Sequence, residues 1–186
     1  MNDQSLLAKI LITGKPGVGK STCVYRVMGE IRNIPIVEFV TDEIRENNHR
    51  VGFALQVLGG PRLLLAHKNL MGVPQIGAYG VNLKNLQTAL RLIRDQEQQL
   101  QKQFRLYCID EIGKMEALSP AFREWVEAVF NSPWPVVATI AARGTPWIES
   151  FKRNTKASIF TLTPENRDSK CKEVLAAIRQ WGLSES

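Results

Sequence analysis

The stretch from Ile10 to Thr22, ILITGKPGVGKST, constrains this chain more than any other. An apolar run enters a glycine-rich turn, with Gly14, Gly19, Lys20 and Ser21 at the spacing G-x-x-x-x-G-K-[ST]. The expected local structure is a buried strand, a loop and the start of a helix. Gly14, Gly17 and Gly19 let the backbone turn with positive φ and approach an anion with no Cβ in the way, and Pro16 stiffens the loop between them. Gly14, Lys15, Pro16, Gly17, Val18 and Gly19 would wrap a phosphate chain. The opening helix, with Lys20, Ser21 and Thr22, adds unpaired N–H groups and the positive end of its dipole. Lys20 is placed to reach β and γ phosphates, and Ser21 offers its hydroxyl to Mg²⁺.

A second stretch, RLYCIDE from Arg105 to Glu111, is an apolar strand ending in adjacent carboxylates. In a parallel sheet the loops at the carboxyl ends of the strands meet at the ligand, so Asp110 is expected at the same Mg²⁺ as Ser21. Glu111, next to it, suits a general base that orients an attacking water. Thr139, near the end of the later strand PVVATIA, is read either as a polar sensor of the γ-phosphate or as an ordinary β-branched strand residue.

Between and after these motifs, strands and helices alternate. Strands are expected at about Ala8 to Thr13, Ile36 to Thr41, Arg105 to Glu111, Pro135 to Ala141 and Ala157 to Thr163, and helices at about Gly19 to Asn33, Leu83 to Gln103, Ser119 to Asn131, Pro146 to Lys152 and Pro164 to Trp181. TDEIRENNHR, Thr41 to Arg50, reads as a polar loop. VGFALQVLG and RLLLAHK read as two strands joined around Gly59-Gly60-Pro61, an inserted hairpin region at about residues 50–82. Gln96 to Gln103 reads as a solvated helix face. The fold class is therefore α/β: one domain over residues 1–186, a three-layer α/β/α P-loop core with a mostly parallel sheet, in the branch that carries an extra strand and a catalytic Glu.

Bulk properties fit this reading. No run approaches a membrane span, and the opening MNDQSLLAK has no basic segment followed by an apolar one, so the expectation is a cytoplasmic protein with no membrane partner. Cys23, Cys108 and Cys171 are odd in number and lie in apolar surroundings, as small core residues do. The net charge of +6 and pI near 9.4 suit a protein that handles phosphates; nucleic acid is permitted but not required. A monomer is expected.

Taken together, GKPGVGKST, EIRENNHRVGF at Glu43 to Phe53, IDEIGKME at Ile109 to Glu116 and TPENRD at Thr163 to Asp168 resemble the THEP-type small nucleoside-triphosphatases, the cancer-related nucleoside-triphosphatase family. The resemblance implies Mg²⁺-dependent hydrolysis of ATP, GTP, CTP and UTP to diphosphate and phosphate, with broad tolerance for the base. By position it implies that Gly14 to Ser21 hold the phosphates and that Asp110, Glu111, Ile112, Gly113 and Lys114 form a second nucleotide-side segment. This chain departs from the family between Glu46 and Arg50, where glycine and arginine are common and Asn47, Asn48 and His49 stand here. Asparagine tolerates left-handed backbone, so the turn is expected to survive; position 49 carries histidine where the family commonly has arginine.

For extra positive charge at the γ-phosphate the candidates are Arg45, Arg50 and Arg143. Asn166 and Arg167, just past the last strand, are candidates for contact with base or ribose. Two rival readings share the core: a nucleoside or nucleotide kinase, with the inserted region holding an acceptor, and a nucleotide-controlled switch or metallochaperone.

Overall fold

The computed structural model describes residues 9–31 and 34–181. In chain order the elements are β1 (Lys9–Gly14), α1 (Lys20–Glu30), β2 (Ile36–Glu46), β3 (His49–Val57), β4 (Leu63–His67), β5 (Gln75–Ile76), β6 (Tyr79–Val81), α2 (Leu83–Leu100), β7 (Leu106–Ile112), a 3-10 turn (Glu116–Leu118), α3 (Pro120–Asn131), β8 (Val136–Ala141), α4 (Pro146–Asn154), β9 (Ser158–Leu162) and α5 (Arg167–Gln180). The expected extensions to Ala8 and Asn33 lie outside the described residues.

All nine strands join one sheet in the order β5-β6-β4-β3-β2-β7-β8-β1-β9. From β2 to β9 the neighbours run parallel, and β3, β4, β6 and β5 continue the sheet antiparallel. In space β8 lies between β1 and β7, which separates the two motif-bearing strands by one strand. This is the extra-strand arrangement the motifs imply.

Alternation along the strands sorts the core into two layers. Ile10, Ile12, Leu106 and Cys108 pack with Val24 and Val27 of α1 and Val174 and Ile178 of α5. Leu11, Phe39, Tyr107 and Ile109 pack with the α2 row Leu86, Ala89, Leu90, Ile93 and with Phe122, Val126 and Val129 of α3. The α2 row has the i, i+3, i+4, i+7 spacing of one helix face. Ser119 caps α3, accepting from the Phe122 amide at 3.3 Å, with Pro120 in the first turn.

Three sequence expectations need correction. Thr41 to Arg50 is no loop: β2 continues to Glu46, turns through Asn47 and Asn48 at φ 47° and 62°, and returns as β3 from His49. Two adjacent left-handed residues make a two-residue hairpin turn, which asparagine accepts with little strain. α2 ends at Leu100, short of Gln103, where Gln101 turns to φ 45°. The last helix begins at Arg167, because Asn166 Oδ1 accepts from the Thr163 amide at 2.7 Å and holds residues 163–166 as a turn.

The parallel strands end at one edge, in register. Gly14 of β1 lies beside Ala141 of β8 and Leu162 of β9, Ile112 of β7 lies beside Ile140 of β8, and Val40 of β2 beside Asp110. The two motifs therefore meet there.

Candidate active site

The P-loop turn is built by its glycines. Gly14, Gly17 and Gly19 have φ of 150°, 76° and 107°. A side chain at Gly14 would stand 2.5 Å from the Leu162 carbonyl of the neighbouring strand, so the chain turns there only because no Cβ is present. Gly19, left-handed, caps α1 and receives the Cys23 amide at 3.1 Å. Lys15, Pro16, Gly17, Ser21 and Thr22 are exposed, whereas Val18 and Lys20 are buried. Val18 anchors the loop in the α1–α5 core.

Lys20 is 7% exposed; its ammonium donates to the Gly14 carbonyl and faces Glu111 Oε2, each at 3.4 Å. Lys20 at the start of α1 and Glu111 of β7, two residues expected at the site and distant in sequence, are thus brought together. Asp110 sits deeper, at 2% exposure. Thr139 of β8 donates its hydroxyl to Asp110 Oδ1, and Thr41 of β2 donates to the Asp110 carbonyl at 3.0 Å. Thr139 is therefore a brace for Asp110, a role the sequence reading did not weigh. Asp110 Oδ2 is buried with no hydrogen-bond partner. Burial pushes the Asp110 carboxyl above its ordinary value, against the Ser21 and Thr139 hydroxyls and the Lys20 ammonium, which pull it down. A buried carboxylate oxygen without a partner, beside a serine hydroxyl, is hard oxygen chemistry that suits Mg²⁺ or one of its waters.

Ile112 and Gly113 are buried and Lys114 is exposed. Gly113 carries a constraint: a methyl group there would stand 2.6 Å from Glu116 Oε2 and 3.5 Å from Glu111 Oε1.

The three candidate arginines separate. Arg45 and Arg50 lie on the β2–β3 arm and pair with Glu43 at 2.5 and 2.8 Å; Arg50 also stacks on Phe53 at 5.2 Å and Tyr79 at 5.8 Å. These partners hold Glu43 below its ordinary value and Arg50 above its own. Arg45 is five residues past Val40, the partner of Asp110, so it stands roughly 16 Å along the strand from that level. Arg143 instead follows β8 at the edge between Gly14 and Ile112, is exposed, and makes no ion pair among the described residues. Its loop is clamped from α4. Lys152 donates to the carbonyls of Ala141 at 3.3 Å and Ala142 at 2.9 Å, and Glu149 takes the Gly144 amide at 2.7 Å.

On the other side of the P-loop, Gly19, Thr22, Arg26, Arg167 and Asp168 line a groove of about 260 Å³, floored by Cys23 and Cys171. Arg167 reaches this groove. Asn166 spends its side chain on the turn, with Oδ1 on Thr163 and Nδ2 on the Thr161 carbonyl at 3.2 Å. All three cysteines are free and buried. A larger cleft of about 570 Å³ between α3 and α4 lies at the opposite edge of the sheet and includes none of these residues.

Comparison with known proteins agrees with this geometry. Residues 9–175 match the model of a family described as NTPase. The chain belongs to the THEP-type nucleoside-triphosphatase family. It is 41% identical to nucleoside-triphosphatase THEP1 of Thermotoga sp. (strain RQ2) over 92% of this chain and 95% of that one, and 31% identical to the cancer-related nucleoside-triphosphatase homolog of Mus musculus over 91% and 96%. The crystal structure of THEP1 from Aquifex aeolicus superposes with a TM-score of 0.70 at 33% identity, covering 90% of this chain and 97% of that one. Among the described residues no helix is long and apolar enough to cross a membrane.

Proposed function

We propose that this family member is a Mg²⁺-dependent nucleoside-triphosphatase that releases phosphate from ATP, GTP, CTP and UTP with little regard for the base. The observation that carries the reading is the facing of Lys20 and Glu111 at 3.4 Å beside the unpartnered Oδ2 of Asp110. The P-loop amides and Lys20 bind the phosphate chain and offset charge on the transferring and departing oxygens. Glu111 orients a water for in-line attack and takes its proton. Ser21 and Asp110, held by Thr139, would hold Mg²⁺, which when bound neutralises charge across the β and γ phosphates. Arg143 supplies further positive charge at the γ end.

The groove beside Thr22 supports broad base tolerance. Its rim is Arg26, Arg167 and Asp168, exposed charged side chains, with Arg26 and Asp168 paired at 3.8 Å. Strong discrimination between bases needs buried, preformed hydrogen-bonding groups, whereas among the described residues the polar side chains on this groove, Thr22, Arg26, Arg167 and Asp168, are exposed.

For the rival kinase reading, β3 and β4 would have to shape an acceptor site. They continue the sheet instead, and pack through Leu55, Val57 and Leu65 on α2. The deciding experiment is phosphate release from the four nucleotides with Mg²⁺, for the wild type, Lys20→Ala and Glu111→Gln. Release by the wild type that is lost in both variants supports the hydrolase; nucleotide binding without release, or transfer to an added nucleoside, overturns it.

A further inference from the structure

IDEIGKME contains one acid that the mechanism above does not use. Glu116 opens the 3-10 turn after β7 and is 4% exposed, a rare place for a glutamate with no ion pair among the described residues. Its carboxyl is folded back over the turn it follows. A methyl group on Gly113 would stand 2.6 Å from Glu116 Oε2, and the same point is 3.4 Å from Glu111 Cγ and 3.5 Å from Glu111 Oε1. Two acidic side chains thus approach one backbone position, and a methyl group there would lie in ordinary contact with Glu111 and force the Glu116 carboxyl to shift.

The turn is closed by the Ala117 amide on the Gly113 carbonyl at 3.0 Å, and Glu116 accepts the Ser119 amide on its own carbonyl at 3.0 Å. Glu116 is therefore fixed at both ends, by its backbone in the turn and by its burial. Glu111 is not: its side chain is one third exposed and has Lys20 as its ion-pair partner. A long side chain held at one end needs a wall behind it to keep one rotamer. Burial, with the fields of Glu111 and Asp110, pushes the Glu116 carboxyl up to about 8, against backbone amides that pull it down. A protonated wall adds no third negative charge behind the base.

We propose that Glu116 is a positioning residue for hydrolysis: packed over Gly113, its carboxyl fixes the turn after β7 and keeps the Glu111 carboxylate turned toward Lys20 and the phosphate side of the site. This rests on the hydrolase reading above. The effect belongs to the chemical step, because small misplacement of a reacting group costs rate without costing affinity.

The test is steady-state phosphate release and nucleotide affinity, by titration with a fluorescent ATP analogue, for the wild type, Glu111→Gln, Glu116→Gln, Glu116→Ala and Gly113→Ala, with melting temperatures alongside. Glu116→Ala and Gly113→Ala should lower kcat by roughly tenfold to a hundredfold, with KM and analogue affinity within about twofold of wild type. Glu116→Gln keeps the shape and hydrogen-bonding of the neutral acid and should restore most of kcat. Wild-type kcat in Glu116→Ala, or a loss of affinity in step with kcat and melting temperature, overturns the proposal. If Glu116→Ala does not fold, Gly113→Ala decides, and unchanged kcat there overturns it as well. Failure of the underlying reading looks different: an inactive wild type or a fully active Glu111→Gln overturns the hydrolase with Glu111 as base, and the positioning role with it.

Discussion

Thr139 donates its hydroxyl to Oδ1 of Asp110 and leaves Oδ2 buried without a partner. One strand thus decides which face of a carboxylate on the next strand is offered to the site. Orientation of a ligating carboxylate by an outer hydrogen bond commonly sets affinity for the metal.

Thr139→Val keeps the shape of this fully buried side chain and removes only the hydroxyl. The expected result is about a tenfold rise in the Mg²⁺ concentration for half-maximal phosphate release, with a loss of about 1 to 3 kcal/mol in stability from the unpaired carboxylate oxygen. Mg²⁺ titrations and urea melts measure the two effects separately.

Arg143→Ala should reduce kcat on the order of a thousandfold while nucleotide affinity is kept, as expected for charge that acts on the transferring group. Lys152→Ala frees the Arg143 loop from its carbonyl clamp and should show a smaller fall, about tenfold. Arg45→Ala and Arg50→Ala, whose partner is Glu43, should leave kcat near wild type. Single-turnover rates for the four variants rank them, and a larger loss in Arg45→Ala than in Arg143→Ala would reverse the assignment.

Arg167→Ala removes a group on the rim of the groove next to Thr22. Contacts equal in ground and transition states change KM alone, so KM should rise by about five- to tenfold at constant kcat. Asn166→Ala should behave differently. It loses the bonds to Thr163 and Thr161 and should cost about 1 kcal/mol of stability, with KM unchanged.

Stability should carry the titration of Glu116. Folding raises this carboxyl from its ordinary 4.5 to about 8, so the folded chain keeps a proton that the unfolded chain gives up. The stabilisation is complete below about pH 4.5 and is lost as pH rises through 8. Compared with Glu116→Gln, the wild type should therefore become steadily less stable between those values and then level off. Urea unfolding of both proteins at half-unit pH steps checks the sign; a wild type that gains on the variant with rising pH contradicts it.

How much was legible beforehand depended on how far apart the interacting residues stand in the chain. The P-loop and the capped start of α3 at Ser119-Pro120 were readable because each is a few consecutive residues whose backbone preferences act on one another. The arm from Thr41 to Arg50 reads as a loop from its charges alone, although Asn47-Asn48 is a two-residue turn signal. The last helix starts at Arg167 and not at Pro164, because the Asn166 side chain takes the amide of Thr163, a contact that proline's helix-start preference does not encode.

The sequence by itself determined the α/β class, the phosphate-binding turn and the acidic end of a later strand, since glycine spacing and apolar periodicity are local properties of the chain. Only the tertiary structure decided which groups share the site. It put Thr139 behind Asp110, brought Glu116 and Glu111 to the same backbone position at Gly113, set Arg143 at the carboxyl edge, and left Arg45 and Arg50 out on the arm. Those choices follow from strand order. With β8 placed between β1 and β7, residues more than a hundred positions apart stand side by side on neighbouring strands, as Gly14 and Ala141 do, and no local preference encodes that adjacency.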